Sequence, residues 1–122
     1  MASILVVEDE IAISENIVAL LAARGHQMSS CGDGYEALEL ARKRPPQLVL
    51  LDVILPRLSG LEVCKLLRAD PRTAKVKILM VTGLDLGGDV EKALASGADD
   101  YLVKPFDPDR LVKKVQKALL AP

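Results

Sequence analysis

The stretch Gln47-Leu-Val-Leu-Leu-Asp52 contains four consecutive aliphatic residues and ends in a carboxylate. A short, continuous aliphatic run is typical of a strand that is covered on both faces of a parallel sheet. A purely structural interpretation of Asp52 is a turn or helix cap after this strand. Because an ionised carboxylate is costly to remove from water, we instead interpret Asp52 as a chemical group held on a rigid base.

Three further segments repeat this arrangement, in which an aliphatic run is followed at once by polar residues. The polar residues at their ends are Glu8 with Asp9, Thr82, and Lys104. In open α/β sheets, binding and catalytic sites form beyond the carboxyl ends of the strands. These strand ends are therefore predicted to build one common site with Asp52.

Short apolar runs alternate with helical patterns along the whole chain, which predicts repeated βα units and a parallel sheet. The predicted strands lie near 3–7, 27–31, 47–51, 77–81 and 100–103. The predicted helices lie near 10–24, 34–43, 60–69, 86–96 and 108–120. The fold class is therefore α/β, as a single flavodoxin-like, doubly wound (βα)5 domain.

The polarity of the strands also predicts their order in the sheet. The second and fifth strands are more polar than the other three, as edge strands are. Right-handed crossovers then permit the order 2-1-3-4-5, in which the direction of winding reverses between the first and third strands. The crevice at this reversal is predicted to be lined by Glu8, Asp9 and Asp52.

Length and charge narrow the range of functions. The 122 residues fit one domain, 1–122, which is either a whole protein or a piece of a larger one. With 16 basic and 17 acidic groups and 2% aromatic residues, the domain is not expected to bind nucleic acid directly. The chain has no charged-then-apolar leader and no 18-residue apolar run, which disfavours secretion and membrane spanning.

The two cysteines do not predict a metal or redox site. Cys31 and Cys64 show neither CxxC nor Cys/His spacing. We expect two reduced, partly buried thiols in a cytoplasmic protein, with an unrecognised disulfide as the alternative.

The converging carboxylates indicate phosphoryl chemistry supported by a metal ion. Like charges in one crevice repel, so they require a cation or must bind protons. Mg²⁺ is held by one or two carboxylates and keeps several waters, which suits a shallow site of this kind. Asp52 could then attack a phosphoryl group as a nucleophile. Lys104 and Thr82 would contact the phosphoryl oxygens, and Gly83 would leave room for the group to approach.

Four motifs in this order resemble the response regulator receiver domain of two-component phosphorelay signalling, over residues 3–120. They read Leu5-Val-Val-Glu-Asp-Glu10, Leu50-Leu-Asp-Val-Ile-Leu-Pro-Arg-Leu-Ser-Gly60, Val81-Thr-Gly83 and Gly97-Ala-Asp-Asp-Tyr-Leu-Val-Lys-Pro-Phe106. The resemblance implies that Asp52 is the phosphoacceptor. It also implies a set of site residues: Mg²⁺ ligands Glu8, Asp9, Asp52 and the backbone carbonyl of Ile54, phosphoryl contacts Thr82 and Lys104, and the aromatic switch residue Tyr101.

The resemblance further implies a phosphorylation-dependent switch rather than an enzyme with an external substrate. A sensor histidine kinase or a histidine phosphotransfer protein would donate the phosphoryl group. The surface of the fourth helix, fifth strand and fifth helix would then change for an effector protein or a C-terminal output domain. The domain would be cytoplasmic, would assist its own phosphorylation and autodephosphorylation, and would be a monomer or a phosphorylation-dependent dimer.

The sequence departs from the family pattern at a few positions. Glu8 stands where the family more often has Asp, so its contact with the metal is expected to be mediated by water. Ile54 and Leu84 are apolar at positions near an attacking water, which predicts slow self-hydrolysis. Gly87 and Gly88 lower helix propensity by about 1 kcal/mol each relative to alanine, so the fourth helix is expected to fray or shift on switching.

Other functions fit the sequence less well. A docking or dimerisation module that acts without phosphorylation would be expected to lack at least one of the site residues, and all are present. A phosphohydrolase would need a second acid at the position of Ile54. A nucleotide-binding protein would need a glycine-rich loop after the first strand, and the sequence has none.

Several residues also have simple structural interpretations. Tyr101 could be no more than a packed residue of an edge strand. Lys104 precedes Pro105, and a cis bond there would aim its ammonium into the crevice. Phe106 is expected in the core, and His26 is expected in a loop with a structural or surface role. The basic residues on one face of the last helix are expected to be solvated; they are Arg110, Lys113, Lys114 and Lys117.

Overall fold

The computed structural model describes residues 2–83 and 87–121, without the side chains of residues 87–89. Five strands alternate with five helices along these residues. The strands are β1 (Ser3–Val7), β2 (Gln27–Cys31), β3 (Leu48–Asp52), β4 (Lys77–Thr82) and β5 (Asp100–Val103). The helices are α1 (Ile11–Ala22), α2 (Gly34–Lys43), α3 (Gly60–Ala69), α4 (Gly87–Ala95) and α5 (Pro108–Leu120).

The strands form one parallel sheet in the order β2-β1-β3-β4-β5, which confirms the predicted topology. The central strands β1, β3 and β4 are almost wholly buried, whereas most residues of β2 and β5 are partly or fully exposed. The alternation of helices on both faces covers the three aliphatic strands, and the two more polar strands lie at the edges.

Two strands are longer at their carboxyl ends than the sequence predicted. Asp52 pairs with Val81 in the ladder between β3 and β4, and Thr82 pairs with Val103 in the ladder between β4 and β5. Both polar residues therefore belong to the strands themselves rather than to the loops that follow. Each backbone is fixed by pairing with one neighbouring strand, Asp52 with β4 and Thr82 with β5.

The core consists of two clusters, one on each face of the sheet. The first joins side chains of α2, α3 and α4 to one face, and the second joins side chains of α1 and α5 to the other. Phe106, expected in the core, is half-buried against the second cluster. Cys31 and Cys64 are both free and buried in the first.

Local polar contacts fix the starts of three helices. The side chains of Asp33, Ser59 and Asp107 each accept a hydrogen bond from a backbone N–H in the first turn of α2, α3 and α5, respectively. In α5 this cap is followed by Pro108 in the first helical position, where a proline costs no hydrogen bond. These starts agree with the boundaries expected from the sequence.

Arg68, near the end of α3, joins three separate segments at the end of the sheet opposite the strand-end carboxylates. Its Nε donates to the carbonyl oxygen of Gly97 at 2.9 Å, and its Nη1 to that of Ala74 at 3.0 Å. Its Nη2 contacts Asp99 Oδ2 at 2.9 Å, and the same oxygen accepts a hydrogen bond from the backbone of Ile78. No sequence motif pointed to a role for Arg68.

Gly97 ends the turn after α4 and leaves the space that Arg68 fills. Its φ is +111°, a conformation that side chains disfavour. A Cβ there would lie 2.8 Å from Arg68 Cγ. The packing of α3 against the α4–β5 turn therefore depends on both residues.

None of the helices in residues 2–83 and 87–121 combines the length and the apolar character needed to cross a membrane.

We predict that Arg68→Met lowers the free energy of unfolding by about 2–4 kcal/mol, because several buried or half-buried acceptors lose their partner at once. Urea denaturation followed by circular dichroism measures this loss. Arg72→Met is the matched control, since Arg72 is exposed and its ion pair joins it to Asp70, two residues away, rather than to a distant segment. Equal effects of the two substitutions would contradict the role given to Arg68.

Candidate functional site

The carboxyl ends of β1 and β3 bring three carboxylates together. Oxygen atoms of Glu8, Asp9 and Asp52 all lie within 4.8 Å of one another. Glu8 and Asp52 are buried, with 4% and 5% of their surface exposed, whereas Asp9 is exposed. The pairing of β1 beside β3 produces this proximity, because parallel neighbours end at the same edge of the sheet.

Backbone amides hold the two buried carboxylates in place. The amide of Ile54 donates to Asp52 Oδ1 at 3.1 Å, and the amide of Glu10 donates to Glu8 Oε2, also at 3.1 Å. In both cases a side chain accepts from the residue two positions later, a local contact that a turn after a strand provides. Each carboxylate keeps its second oxygen for another partner.

Lys104 provides that second partner for both carboxylates. Its Nζ lies 2.5 Å from Glu8 Oε1 and 3.0 Å from Asp52 Oδ2. The side chain is 15% exposed, so the ion pairs are shielded from water. The peptide bond between Lys104 and Pro105 is cis, the form expected to aim the ammonium into the crevice.

The contacts of Lys104 raise its pKa. Burial is the largest single influence and alone would lower the pKa of the ammonium, but the hydrogen bonds and charges of Asp52 and Glu8 outweigh it. Lys104 therefore stays protonated and balances part of the negative charge of the crevice.

Thr82 lies beside this group at the end of β4. It is almost fully buried, with 1% of its surface exposed, and its carbonyl oxygen accepts a hydrogen bond from the backbone of Lys104 at 2.7 Å. Among the described residues, a Cβ added at Gly83 would come no closer than 4.0 Å, to Lys104 Cδ. Since that is an ordinary contact, the expectation that Gly83 clears space for a phosphoryl group stays a prediction.

The loop after β3 presents Ile54 at the rim of the crevice, where this side chain is 60% exposed. Gly60, which opens α3, supports the loop from below. A Cβ there would lie 2.0 Å from the carbonyl oxygen of Asp52, and the Gly60 amide donates to Val53 O at 2.8 Å. Gly60 belongs to the second of the four motifs, but its spacing alone did not predict this close approach to the backbone of Asp52.

Tyr101 is half-buried in β5 and packs against the first core cluster. Lys114 Nζ lies 5.0 Å from the centre of its ring and 3.0 Å from Asp100 Oδ1. The prediction of a solvated basic face on α5 is therefore wrong for Lys114, which reaches across to the edge strand. It holds for the remaining basic residues of that face, which are exposed: Arg110, Lys113 and Lys117.

His26 lies just before β2, away from the crevice. It is half-buried, and its Nδ1 accepts a hydrogen bond from the backbone of Ala2 at 3.2 Å. Burial lowers its pKa. These contacts agree with the structural role expected for it. Leu84, which was linked to the rate of self-hydrolysis, lies outside the described residues.

The donor set fits Mg²⁺. Carboxylate oxygens from two adjacent strand ends meet within one ion's reach, and hard oxygen ligands are what this ion requires. Asp9 is the most accessible of the three carboxylates. An entering cation would face two carboxylates already shared with Lys104, so the ion and the ammonium can divide the negative charge between them.

Comparison with known proteins finds relatives over nearly the whole chain. The sequence profile of the response regulator receiver domain matches residues 4–116. The DNA-binding response regulator MtrA of Mycobacterium tuberculosis H37Rv is 43% identical over 116 residues, which cover 95% of this chain and 50% of MtrA. The chain spans about half the length of several curated relatives that it matches.

Solved structures with the same fold include two similar receivers. The chemotaxis response regulator CheY4 of Vibrio cholerae has a TM-score of 0.92 and 33% identity, covering 97% of this chain and 98% of its own. The receiver domain of the sensor histidine kinase PA1611 from Pseudomonas aeruginosa PAO1 has a TM-score of 0.91 and 32% identity, covering 98% of both chains. The latter structure has a magnesium ion coordinated in its active site cleft.

We predict that Lys104 stabilises the fold at neutral pH and that this effect disappears in alkali. A pKa raised above 10.5 in the folded state means that the stabilisation is complete below that value and is lost as the pH rises through the higher folded-state pKa. Lys104→Met should lower the free energy of unfolding by about 1–3 kcal/mol at pH 7, because two buried carboxylates lose their cation.

Urea denaturation of both proteins from pH 7 to pH 11 tests this expectation. The difference between wild type and Lys104→Met should shrink above pH 10.5. Lys113→Met, an exposed lysine on α5, should show little difference at any pH. A Lys104 effect that stays constant across the range would refute the ion-pair explanation.

Proposed function

Because the chain belongs to the response regulator receiver family, we propose that it is a signalling switch that accepts a phosphoryl group on Asp52. The observation that carries the proposal is the position of Lys104, whose ammonium lies between the carboxylates of Asp52 and Glu8 at the switch point of the sheet. Membership of the family is shown by the match over residues 4–116. The roles of individual residues are part of the proposal.

The chemistry would proceed by attack of Asp52 Oδ2 on the phosphorus of a phosphohistidine in a donor protein. The new oxygen–phosphorus bond forms as the nitrogen–phosphorus bond breaks, and the leaving imidazole takes up a proton. Oδ1 stays bonded to the Ile54 amide, which directs Oδ2 towards the donor. Lys104, already 3.0 Å from that oxygen, would follow it and contact the phosphoryl group.

We propose Mg²⁺ as the cofactor, held by Asp9, Asp52 and the backbone carbonyl of Ile54, with Glu8 reaching it through water. The ion would supply positive charge to the phosphoryl oxygens during transfer. Two observations support this choice: the carboxylate cluster of this chain and the magnesium ion in the similar receiver of PA1611. Glu8 carries one methylene more than the aspartate that the family pattern more often has at this position, which favours an indirect role.

The new charge would be read out through β4 and β5. Thr82 lies one residue beyond the partner of Asp52 in the ladder, so its hydroxyl could turn towards the phosphoryl group. Tyr101 on the adjacent strand would then move into the space that is vacated. The surface of α4, β5 and α5 would thereby differ between the two states of the domain. A partner that reads the switch must bind these two states with different affinity.

The partners follow from the same proposal. The phosphoryl donor would be a sensor histidine kinase or a histidine phosphotransfer protein. The downstream partner would be an effector protein or a C-terminal output domain outside residues 1–122. The curated relatives are longer than this chain, and MtrA is described as DNA-binding. The free thiols of Cys31 and Cys64 suit a reducing compartment, which supports a cytoplasmic site for the exchange.

The alternative function is a docking or dimerisation module that does not become phosphorylated. It shares the fold and the family, so only chemistry at Asp52 distinguishes it from the switch. The intact set of Glu8, Asp9, Asp52 and Lys104 favours the switch, because a docking role would not require these charges to be gathered in one crevice.

We expect wild-type protein treated with acetyl phosphate or phosphoramidate and Mg²⁺ to gain the mass of one phosphoryl group. Asp52→Asn should gain none, and neither should wild type in excess chelator. Asp70→Asn is the matched control, since Asp70 lies in the turn after α3 and pairs with Arg42 and Arg72; it should be labelled as wild type is. Intact mass spectrometry reads all four samples.

An unlabelled wild type would refute the proposal if beryllofluoride also leaves the resonances of Thr82 and Tyr101 unchanged. That pair of results would favour the docking module. Labelling that persists in Asp52→Asn would assign the chemistry to a different carboxylate.

We also expect α4 to exchange its amide hydrogens faster or slower when beryllofluoride is bound, because its two leading glycines weaken the first turn. Hydrogen exchange with mass spectrometry compares α4 in the two states, with α2 as an internal reference. Identical α4 profiles with and without beryllofluoride would exclude a shift of this helix.

A further inference from the structure

The loop between β3 and α3, residues 53–59, is fastened to the start of α2. Arg57 Nη2 contacts Asp33 Oδ2 at 2.7 Å, and its guanidinium carbon lies 5.2 Å from the centre of the Tyr35 ring. Beneath this contact a Cβ at Gly34 would lie 2.6 Å from the carbonyl oxygen of Leu58. One side chain and one close backbone approach thus join the loop to α2.

The backbone of Arg57 is held in an unfavourable conformation. Its φ is +68°, and among the described residues no other non-glycine residue has a positive φ. Glycine adopts this region without the steric cost that a Cβ introduces. An arginine here makes both contacts to α2 that a glycine could not make.

The segment that receives Arg57 also touches the first acidic loop. The amide of Glu8 donates to the carbonyl oxygen of Cys31 at 3.1 Å. A Cβ at Gly32 would come within 4.0 Å of Asp9 Cα. The turn between β2 and α2 therefore lies against the loop that carries Asp9 and, through Asp33, is bonded to the loop that carries Ile54.

We propose that the pair of Asp33 and Arg57 is a positioning device for the metal site, which fixes the Ile54 loop relative to the Asp9 loop. This inference rests on the proposed function, because Asp9 and Ile54 carry the ligands assigned there. Neither Asp33 nor Arg57 is among the ligands proposed for the ion. Outer contacts of this kind commonly set metal affinity by holding the ligands at the required separation.

Charge alone predicts the opposite effect for one member of the pair. Arg57 is a cation near a cation site, so neutralising it should tighten Mg²⁺ binding if only long-range charge matters. Removal of the Asp33 charge should weaken binding under either explanation. Positioning predicts weaker binding for both substitutions, so the sign of the Arg57 effect separates the two explanations.

The test measures the Mg²⁺ dissociation constant by amide chemical-shift titration of the wild type, Arg57→Met, Asp33→Asn and the double variant. Asparagine keeps the cap of α2, because its side-chain oxygen can still accept from the Glu36 amide. Each single substitution should raise the Mg²⁺ dissociation constant by about 3- to 10-fold. This is a small effect for residues that support metal ligands, because the ion pair is exposed. The double variant should be no weaker than the weaker single variant.

Arg57→Gly separates positioning from general stability. It removes the contacts to α2 and also the steric cost at positive φ, so its melting temperature without metal should stay near that of wild type while Mg²⁺ binds more weakly. Arg72→Met removes one exposed arginine from an ion pair outside the site and should leave the dissociation constant unchanged.

Tighter or unchanged binding in Arg57→Met would overturn the inference, and so would additive effects in the double variant. If wild type itself binds no Mg²⁺, the metal site of the proposed function fails first. Wild-type binding together with unaffected Arg57 variants would leave that function intact and reject only the positioning role.

Discussion

The structure depends on the repulsion between Glu8 and Asp52 and on its relief by Lys104. Two carboxylates with about one-twentieth of their surface exposed lie at the ends of adjacent central strands. Isolated buried charges of this kind would shift their protonation or unfold the site. The ammonium of Lys104 contacts both, and the amides of Ile54 and Glu10 complete their hydrogen bonds. The aliphatic sheet can therefore end in charge without losing its packing.

The sheet and most helix boundaries could be predicted from the sequence because they depend on local signals. Continuous aliphatic runs mark β1, β3 and β4, and polar residues mark the edge strands β2 and β5. Short-range caps such as Asp33 in α2 and Asp107 before Pro108 mark helix starts. The gathering of Glu8, Asp9 and Asp52 followed from topology, since parallel neighbours place their carboxyl ends together.

What the sequence could not supply were polar contacts between distant segments. Arg68 looks like any basic residue near the end of an amphipathic helix, yet it bonds to residues as far as 31 positions away. Lys114 shares its helical face with exposed lysines and differs only because Asp100 lies within reach on β5. Arg57 shows no signal in a loop of mixed composition. Long side chains choose among many partners, and only the folded backbone determines which partner is near.

The placement of Asp52 inside the ladder of β3 has a mechanical consequence. Asp52 pairs with Val81 of β4, and Gly60 packs against its carbonyl oxygen. All five residues of β3 are buried. The backbone that carries this carboxylate is therefore expected to move little when a group is attached to it. If a bond formed at this carboxylate, the accompanying displacement would have to be taken up around β3 rather than by β3 itself, so the stiffness of one strand would set the direction in which a signal leaves the site.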